Sequence, residues 1–244
     1  MAKKPKSRKS SLETQTQKGF VRQSMAKPLL VLVVLVMAAF STAFFLMRRN
    51  ADSASTSANP SSVHSSKPVI TPDGWIKGNP NAKTVLVEFG DFQCPSCAVA
   101  RLKIADILKK HDRDLKVVFK HYPMQNVHRN AMLASLAAEA AGRQSKFWEM
   151  GELLFSRQAD WSNVPDAMTF FTKYAAEIQL NLDKFRSDIT DSDILNKVYR
   201  DVLEGQVAKV RSVPTFFLDG NMLERVKSDV EFQEIIDKAI QSAQ

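Results

Sequence analysis

Residues 85–97 read VLVEFGDFQCPSC, and this stretch decides how the chain folds. It opens with a nearly unbroken apolar run at 85–89, which is typical of a central strand covered on both faces. It closes with a Cys-x-x-Cys motif, and residues 98–110 continue with the spacing of an amphipathic helix. This order places Cys94 at a helix N-terminus, whose backbone N–H groups favour a thiolate. Such motifs lower a cysteine pKa from about 8.5 to roughly 3.5–7.5, so Cys94 is a candidate nucleophile.

Two other uses of the cysteine pair have to be weighed. A closed zinc site needs four ligands, but the chain has two cysteines in all and its four histidines show no paired spacing. We therefore expect no metal. A purely structural disulfide stays open as an alternative. Cys97 lies one helical turn after Cys94 and can form a disulfide with it, so we expect no cofactor beyond a redox-active disulfide between these two residues.

The positive charge of the chain is confined to its first part. The sequence has a formal net charge of +8, from 34 Lys and Arg and 26 Asp and Glu. Residues 1–49 hold ten of the basic residues and one acid, Glu13, so the remainder is close to neutral. A folded part without excess positive charge has no reason to bind phosphates. We expect no nucleic-acid partner.

Three segments precede the folded part. Residues 1–27 are polar and basic, which predicts a disordered cytoplasmic tail. Residues 28–47 carry no charge, and as a helix they would span about 30 Å, the thickness of a bilayer core. Residues 48–69 are rich in Ser and Ala and predict a flexible linker.

The charges around the apolar segment predict its orientation. Most of the nearby basic residues precede residue 28, so the positive-inside rule places the N-terminus in the cytoplasm and the domain outside. We interpret 28–47 as an uncleaved signal-anchor that ties the chain to the membrane. A cleaved signal peptide stays open, because Ser41-Thr42-Ala43 would pass as a cleavage site. Both interpretations export residues 70–244 to a periplasmic or extracellular space that permits disulfides.

The sequence of residues 70–244 predicts one α/β domain. The strand at 85–89 and the helix at 98–110 are followed by a second strand at 115–119. A strand–helix–strand order implies a right-handed crossover and a parallel pair. On the helix we expect the apolar side chains to face the sheet; these are Ala98, Leu102, Ala105 and Leu108.

A helical block and a hairpin complete the predicted domain. The pattern is helical from about 126 to 208, and we interpret the aromatic residues of this block as core packing. Asp219-Gly220 predicts a hairpin turn between strands at 213–218 and 222–226. Ser228 is expected to cap a last helix. The helices of the block are expected at 131–141, 146–157, 165–179 and 192–208, and the inner side of the last helix is expected to hold Val230, Phe232, Ile235, Ile236 and Ala239.

Three stretches together resemble the DsbA-like branch of the thioredoxin superfamily, in particular its membrane-anchored, BdbD-type members. They read EFGDFQCPSC at 88–97, HYPM at 121–124 and VPTFFLDG at 213–220. The resemblance implies an α/β thioredoxin fold with a helical domain inserted at about 126–208, preceded by one transmembrane helix. The departure lies at Pro95-Ser96, where the best-known DsbA enzymes have Pro-His. The loss of that histidine implies a less oxidising site.

The resemblance implies a role for each site residue. Cys94 attacks and Cys97 resolves. Pro214 is expected to be cis and to lie against the disulfide, and Val213 to offer backbone hydrogen bonds to a substrate peptide. Glu88 is expected to be a buried acid with a raised pKa that exchanges a proton with Cys97. The alternatives are an ordinary strand-initiating proline and a Glu88 that points at water from a strand edge.

The resemblance further implies an extracytoplasmic thiol–disulfide oxidoreductase that oxidises cysteines of exported proteins. It implies a bacterial cytoplasmic (inner) membrane and a quinone-linked membrane partner, resembling DsbB or VKOR, that reoxidises the cysteine pair. The linker is too short for a dimerisation domain, so we expect a monomer. A reductase or isomerase, for example in cytochrome c maturation, stays open, as does a non-catalytic exported binding domain. We interpret His121 and His128 as satisfied surface or capping histidines.

Overall fold

Residues 70–224 and 228–243 are described here from a computed structural model of the chain. The predicted basic tail at 1–27, transmembrane anchor at 28–47 and linker at 48–69 lie outside the described residues and stay predictions. Within the described part, none of the helices combines the length and the apolar character that crossing a bilayer requires.

A mixed sheet forms the centre of the described domain. Its strands lie in the order β1-β3-β2-β4-β5. β2 and β3 are parallel, which confirms the predicted crossover, and the other neighbouring pairs are antiparallel. The strands are β1 (Trp75–Gly78), β2 (Thr84–Gly90), β3 (Leu115–His121), β4 (Thr215–Leu218) and β5 (Asn221–Met222).

Helices cover the sheet and form the predicted insertion. Helices α2 to α7 all lie between β3 and β4 in the chain, within the range of about 126–208 where the sequence predicts a helical insertion. Their buried aromatic rings pack together, as the sequence predicted. The helices are α1 (Pro95–Lys110), α2 (Ala131–Gly142), α3 (Phe147–Ser156), α4 (Gln158–Trp161), α5 (Met168–Glu177), α6 (Leu182–Ile189), α7 (Ser192–Val207) and α8 (Asp229–Ala243).

Both faces of β2 are buried. Successive side chains of a strand point to opposite faces of the sheet, so neighbouring residues of β2 pack in two different clusters. Leu86 packs in one apolar cluster with residues of α1 and α8. Val87 and Phe89 pack on the other face with Phe217 of β4. Glu88 therefore shares the face of Leu86 and lies against α1. The unbroken apolar run of β2 follows from this double coverage.

Close packing also holds α7 against the sheet. A Cβ atom at Gly205 would stand 2.7 Å from ring atoms of Tyr122 and 3.1 Å from Phe89. No larger residue fits there without moving one of the two rings.

Some elements differ from the prediction. The sequence did not predict β1, α4 or α6. The predicted third strand at 213–218 begins only at Thr215, since Pro214 has no N–H to give to a ladder. The predicted fourth strand at 222–226 is wrong in its bounds. It is the two-residue β5, after which Leu223 N still donates to Phe216 O at 2.8 Å, and 225–227 lie outside the described residues.

Two helix faces also differ from the prediction. Leu102 on α1 is 55% exposed and Val230 on α8 is 67% exposed. Each lies two positions from a buried residue, Ala100 and Phe232 respectively, which is about 200° around a helix and so on the opposite side. The buried face of α1 contains Cys97, Ala100, Ile104, Ile107 and Leu108.

The predicted cap of α8 is present, since Glu231 N donates to Ser228 Oγ at 3.1 Å.

Candidate functional site

The Cys-x-x-Cys motif forms the turn from β2 into α1. Cys94 is the N-cap residue and has an extended backbone, while Pro95 opens the helix, where its missing N–H costs nothing. The carbonyl oxygen of Cys94 accepts from Cys97 N at 3.1 Å and from Ala98 N at 3.2 Å. Both cysteines are free thiols. Cys94 is 6% exposed and Cys97 is fully buried, whereas Pro95 and Ser96 are exposed.

The two thiols have opposite pKa shifts. A hydrogen bond from the Cys97 thiol lowers the pKa of Cys94 to about 6, and backbone N–H groups of Cys97 and Ser96 add to this, while burial and the charge of Asp91 oppose it. Donating to Cys94 raises the pKa of Cys97 strongly, and burial and the charge of Glu88 raise it further. At neutral pH Cys94 is therefore the thiolate and Cys97 holds the proton.

The segment before β4 lies directly over Cys94. The peptide bond between Val213 and Pro214 is cis, as expected. The carbonyl oxygen of Val213 lies 3.5 Å from Cys94 Sγ and accepts from the thiol when it is protonated. An open groove of about 1140 Å³ runs from this point along α1 and the hairpin. Residues from both sides line it, among them Ser96, Val99, Pro214, Phe216, Leu223 and Phe232.

Glu88 lies beneath the cysteines and is closed off from water. It is 5% exposed, which rules out the alternative of an acid pointing at solvent from a strand edge. Burial raises its pKa to about 8, and the charge of Cys94 contributes. Its Oε1 atom has no hydrogen-bond partner among the described residues. The carboxyl lines a cavity of about 40 Å³ together with residues of α1, α3 and β3. A buried carboxyl with a pKa near 8 can hold or release a proton at neutral pH.

Asp91 belongs to the site, although the sequence analysis did not single it out. Its side chain is completely buried. Oδ1 accepts from Gln93 N at 2.7 Å, and Oδ2 accepts from Met124 N at 2.9 Å and from His128 Nδ1 at 2.7 Å. Its backbone carbonyl accepts from Cys94 N at 3.1 Å. An acid three residues before the motif was the available sequence signal.

The helical insertion also reaches the motif. Gln158 Nε2 on α4 donates to the carbonyl oxygens of Phe92 at 2.7 Å and Cys94 at 3.0 Å. Gln93 Nε2 donates in return to Ser162 O at 2.8 Å, and Asn130 N donates to Gln93 Oε1 at 2.8 Å. The insertion therefore fixes the backbone of the turn that carries Cys94.

The two histidines near the site differ from each other. His121 was interpreted as a surface or capping histidine, and this is wrong, because it is fully buried. Its Nε2 lies 2.8 Å from Glu139 Oε1, which also accepts from Trp75 Nε1 at 2.8 Å. The buried carboxylate of Glu139 is the hydrogen-bond partner that allows the His121 ring to be buried. His128 is 20% exposed and contacts Asp91. Across residues 70–224 and 228–243, no three His, Cys, Asp or Glu residues are grouped to hold a metal ion.

Comparison with protein families and curated proteins gives two findings. A family model described as thioredoxin matches residues 71–238. The Na(+)/H(+) antiporter NhaA 1 of Mycobacterium sp. (strain KMS) is 35% identical over 158 residues, which are 63% of this chain and 25% of that protein. NhaA 1 of Salinispora arenicola is 34% identical over 152 residues, which are 62% of this chain and 22% of that protein. The chain thus spans about a quarter of the length of these curated relatives.

Solved structures share the fold. Oxidised BdbD from Bacillus subtilis is 23% identical with a TM-score of 0.63, covering 72% of this chain and 96% of that one. Alpha-DsbA1 of Wolbachia pipientis is 21% identical with a TM-score of 0.61, covering 72% and 94%. A thioredoxin-like oxidoreductase from Silicibacter pomeroyi is 20% identical with a TM-score of 0.60, covering 70% and 94%. At these identities the likeness is one of fold.

Proposed function

The chain belongs to the thioredoxin family, and from this premise we propose that it is a thiol–disulfide oxidoreductase working through Cys94 and Cys97. The predicted resemblance to DsbA- and BdbD-type proteins is confirmed at the level of family and fold. The activity itself is our proposal. The observation that carries it is the placement of two free thiols, Cys94 and Cys97, at the turn from β2 into α1, with Val213 O 3.5 Å from Cys94 Sγ. The opposite pKa shifts of the two thiols support it.

The proposed reaction is oxidation of a substrate dithiol. A substrate thiolate attacks Sγ of Cys94 in the enzyme disulfide, a mixed disulfide forms, and Cys97 leaves. A second substrate thiolate then attacks the substrate sulfur of the mixed bond, and Cys94 leaves as a thiolate. Two electrons pass from the substrate to the enzyme, which ends as the dithiol.

Three residues support these steps. Cys97 needs a proton as it leaves, because its pKa as a thiol is raised. Glu88, with a pKa of about 8, holds a proton at neutral pH and is proposed as the donor. The carbonyl oxygen of Val213 lies 3.5 Å from Cys94 Sγ. The backbone of Val213 is proposed to bind an extended substrate peptide, with Pro214 beside it.

Thiolate stability supports the oxidising direction. A protein that stabilises its thiolate stabilises the dithiol form and is the stronger oxidant. The Cys94 pKa of about 6 lies between about 7 for thioredoxin and about 3.5 for DsbA. We therefore propose an oxidase that is milder than DsbA. A reductase or isomerase is the second candidate, favoured by the exposed Ser96 where a histidine would add positive charge.

The setting of the reaction is proposed from the sequence. Residues 28–47 anchor the chain in a bacterial cytoplasmic membrane, and the substrates are exported proteins with cysteines. A quinone-linked membrane oxidase restores the disulfide, and the enzyme acts as a monomer without nucleic acid. The shared membrane raises the effective concentration of that oxidase. Because the chain matches only about a quarter of the antiporters, their named transport gives no second candidate.

The test uses the full chain, oxidised, with a reduced unfolded peptide that contains two cysteines. We expect peptide oxidation by the wild type and none by Cys94→Ala. Cys97→Ala, offered the same peptide in its disulfide form, should accumulate the mixed disulfide at Cys94 as one peptide thiolate leaves. A reduction potential of about −120 to −180 mV fits the oxidase, and about −270 mV fits the reductase. Full activity in Cys94→Ala, or a wild-type Cys94 that titrates like an ordinary thiol, would overturn the proposal.

A further inference from the structure

Asp91 places a buried carboxylate next to the reactive thiols. Its backbone carbonyl accepts from Cys94 N at 3.1 Å. The carboxylate is fully buried and accepts three hydrogen bonds. Two of these come from backbone N–H groups, and the third comes from the ring of His128. Among the described residues, His128 is the one basic side chain that pairs with Asp91.

This carboxylate works against the ionisation of Cys94. The charge of Asp91 raises the pKa of the thiol, which the hydrogen bond from Cys97 lowers. The titratable groups that act most strongly on the two thiols are Asp91 in the turn, Glu88 on β2 and, for each thiol, the other thiol. A positive charge beside the Asp91 carboxylate would reduce the rise that this carboxylate causes in the Cys94 pKa. His128 reaches Asp91 from the segment after β3, at 2.7 Å.

We propose that His128 is a positioning residue for Cys94: its ring binds the Asp91 carboxylate, offsets that charge and so keeps Cys94 a thiolate. The inference rests on the proposed thiol–disulfide function and deepens it. Nδ1 must carry a hydrogen to meet a carboxylate, and in the imidazolium form the ring also brings a positive charge.

The test compares variants of the full, reduced chain by the pH dependence of Cys94 alkylation. His128→Ala removes the hydrogen bond from the ring to Asp91, and should raise the Cys94 pKa by on the order of one unit. At a pH below the pKa, one unit corresponds to a rate about tenfold lower. His128→Asn keeps an N–H donor and should raise the pKa less. Asp91→Asn should lower the pKa, and in that background neither His128 variant should raise it.

The control is a second histidine–aspartate pair. His111 Nε2 lies 2.7 Å from Asp237 Oδ1, with an exposure of 22% close to that of His128, at the far end of α1. His111→Ala should leave the Cys94 pKa unchanged. An unchanged pKa in His128→Ala overturns the inference, and this outcome needs no Asp91 variant to fold. An equal rise in the Asp91→Asn background also overturns it, since the effect then does not pass through Asp91. A wild-type thiol that titrates like ordinary cysteine contradicts the proposed function instead.

Discussion

The side-chain amide of Gln158 donates to the carbonyl oxygen of Cys94 at 3.0 Å, although the two residues are 64 positions apart. The same nitrogen donates to the carbonyl oxygen of Phe92 at 2.7 Å. The carbonyl of Cys94 also receives the first helical hydrogen bonds of α1. One residue of the insertion therefore holds the backbone that presents the nucleophile.

Replacing Gln158 by Ala should weaken both the fold and the reaction. The carbonyl of Phe92 loses a buried partner, which costs about 1–3 kcal/mol of unfolding free energy, and the turn loosens, so substrate oxidation should slow by several-fold. Urea unfolding and peptide oxidation measure the two effects. The matched control is Gln144→Ala, which breaks a similar side chain-to-backbone pair with Asn181 far from the cysteines. It should lower stability and spare the rate per folded molecule; an equal fall in rate would contradict a specific role for Gln158.

Replacing Cys97 should change the acidity of Cys94. The Cys97 thiol is the main cause that brings the Cys94 pKa down to about 6. In Cys97→Ala the pKa should rise by on the order of one to two units, whereas Cys97→Ser keeps an O–H donor and should raise it less. Thiolate absorbance at 240 nm against pH reports this directly, because Cys94 is then the last thiol in the chain. Identical titration curves for Cys97→Ala and the wild type would show that the helix N-terminus alone controls ionisation.

Replacing Glu88 should change how stability depends on pH. Its pKa is about 8 in the folded chain against a usual 4.5, so the folded state binds the extra proton and loses stability as pH rises through this window. The difference in unfolding free energy, Glu88→Gln minus wild type, should increase from pH 5 to pH 8 by about 3 to 5 kcal/mol. The lowered pKa of Cys94 has the opposite slope, but it is present in both proteins and largely cancels.

The control for Glu88 is Glu149→Gln. A hydrogen bond from Lys146 lowers the pKa of Glu149, so its contribution is lost only as pH falls below the usual value and leaves the window above pH 5 unchanged. Denaturant unfolding of the reduced proteins across this range makes the measurement. A flat difference for Glu88→Gln would mean that the carboxyl ionises normally in the folded chain.

Replacing Lys120 should destabilise the start of the domain. Lys120 is buried on β3 and its Nζ donates to Thr71 Oγ1 and Asp73 Oδ1 at 2.9 Å and to Glu204 Oε2 at 2.5 Å. Lys120→Met removes the cationic partner of Glu204, while Asp73 is 80% exposed and stays solvated, so the loss should be about 1.5–3 kcal/mol.

The second variant for this cluster is Lys120→Met with Glu204→Gln, which should recover part of the loss because one unpaired charge is gone. Lys116→Met on the same strand is the control, since Lys116 forms no ion pair among the described residues. Urea midpoints check all three. A loss no larger than that of Lys116→Met would mean that the cluster does not hold residues 71–73.

The local part of the site could be predicted from the sequence. Glu88 interrupts an apolar strand, and the cysteines mark the start of a helix, so their placement needs only neighbouring residues. Gln158 and His128 could not be found in this way, because their partners are contributed by distant segments through the tertiary fold. The position of Pro214 was predicted from a family resemblance.

The fold was predictable where the pattern was strong. β2 and β3 are apolar and long, whereas β1 pairs on one side only and three of its four residues are exposed. Its sequence, WIKG, has no alternation of apolar and polar residues from which a strand could be predicted. α6 has eight residues, LDKFRSDI, and half of them are charged, so its apolar stripe is too short to stand out. On α1 the buried face runs through Cys97, Ala100 and Ile104, so the prediction that Leu102 faces the sheet is wrong.

The residue that covers Cys94, Val213, follows it by 119 positions in the chain. A polypeptide is made and exported from its amino end, so both cysteines leave the ribosome well before their cover does. A nascent chain that ends short of β4 carries the thiol pair without the segment that closes over it, and lacks one neighbour of β2 in the sheet. Oxidants and other thiols then reach an unshielded sulfur, so the redox state of a newly made molecule depends on how soon residues 213–218 follow.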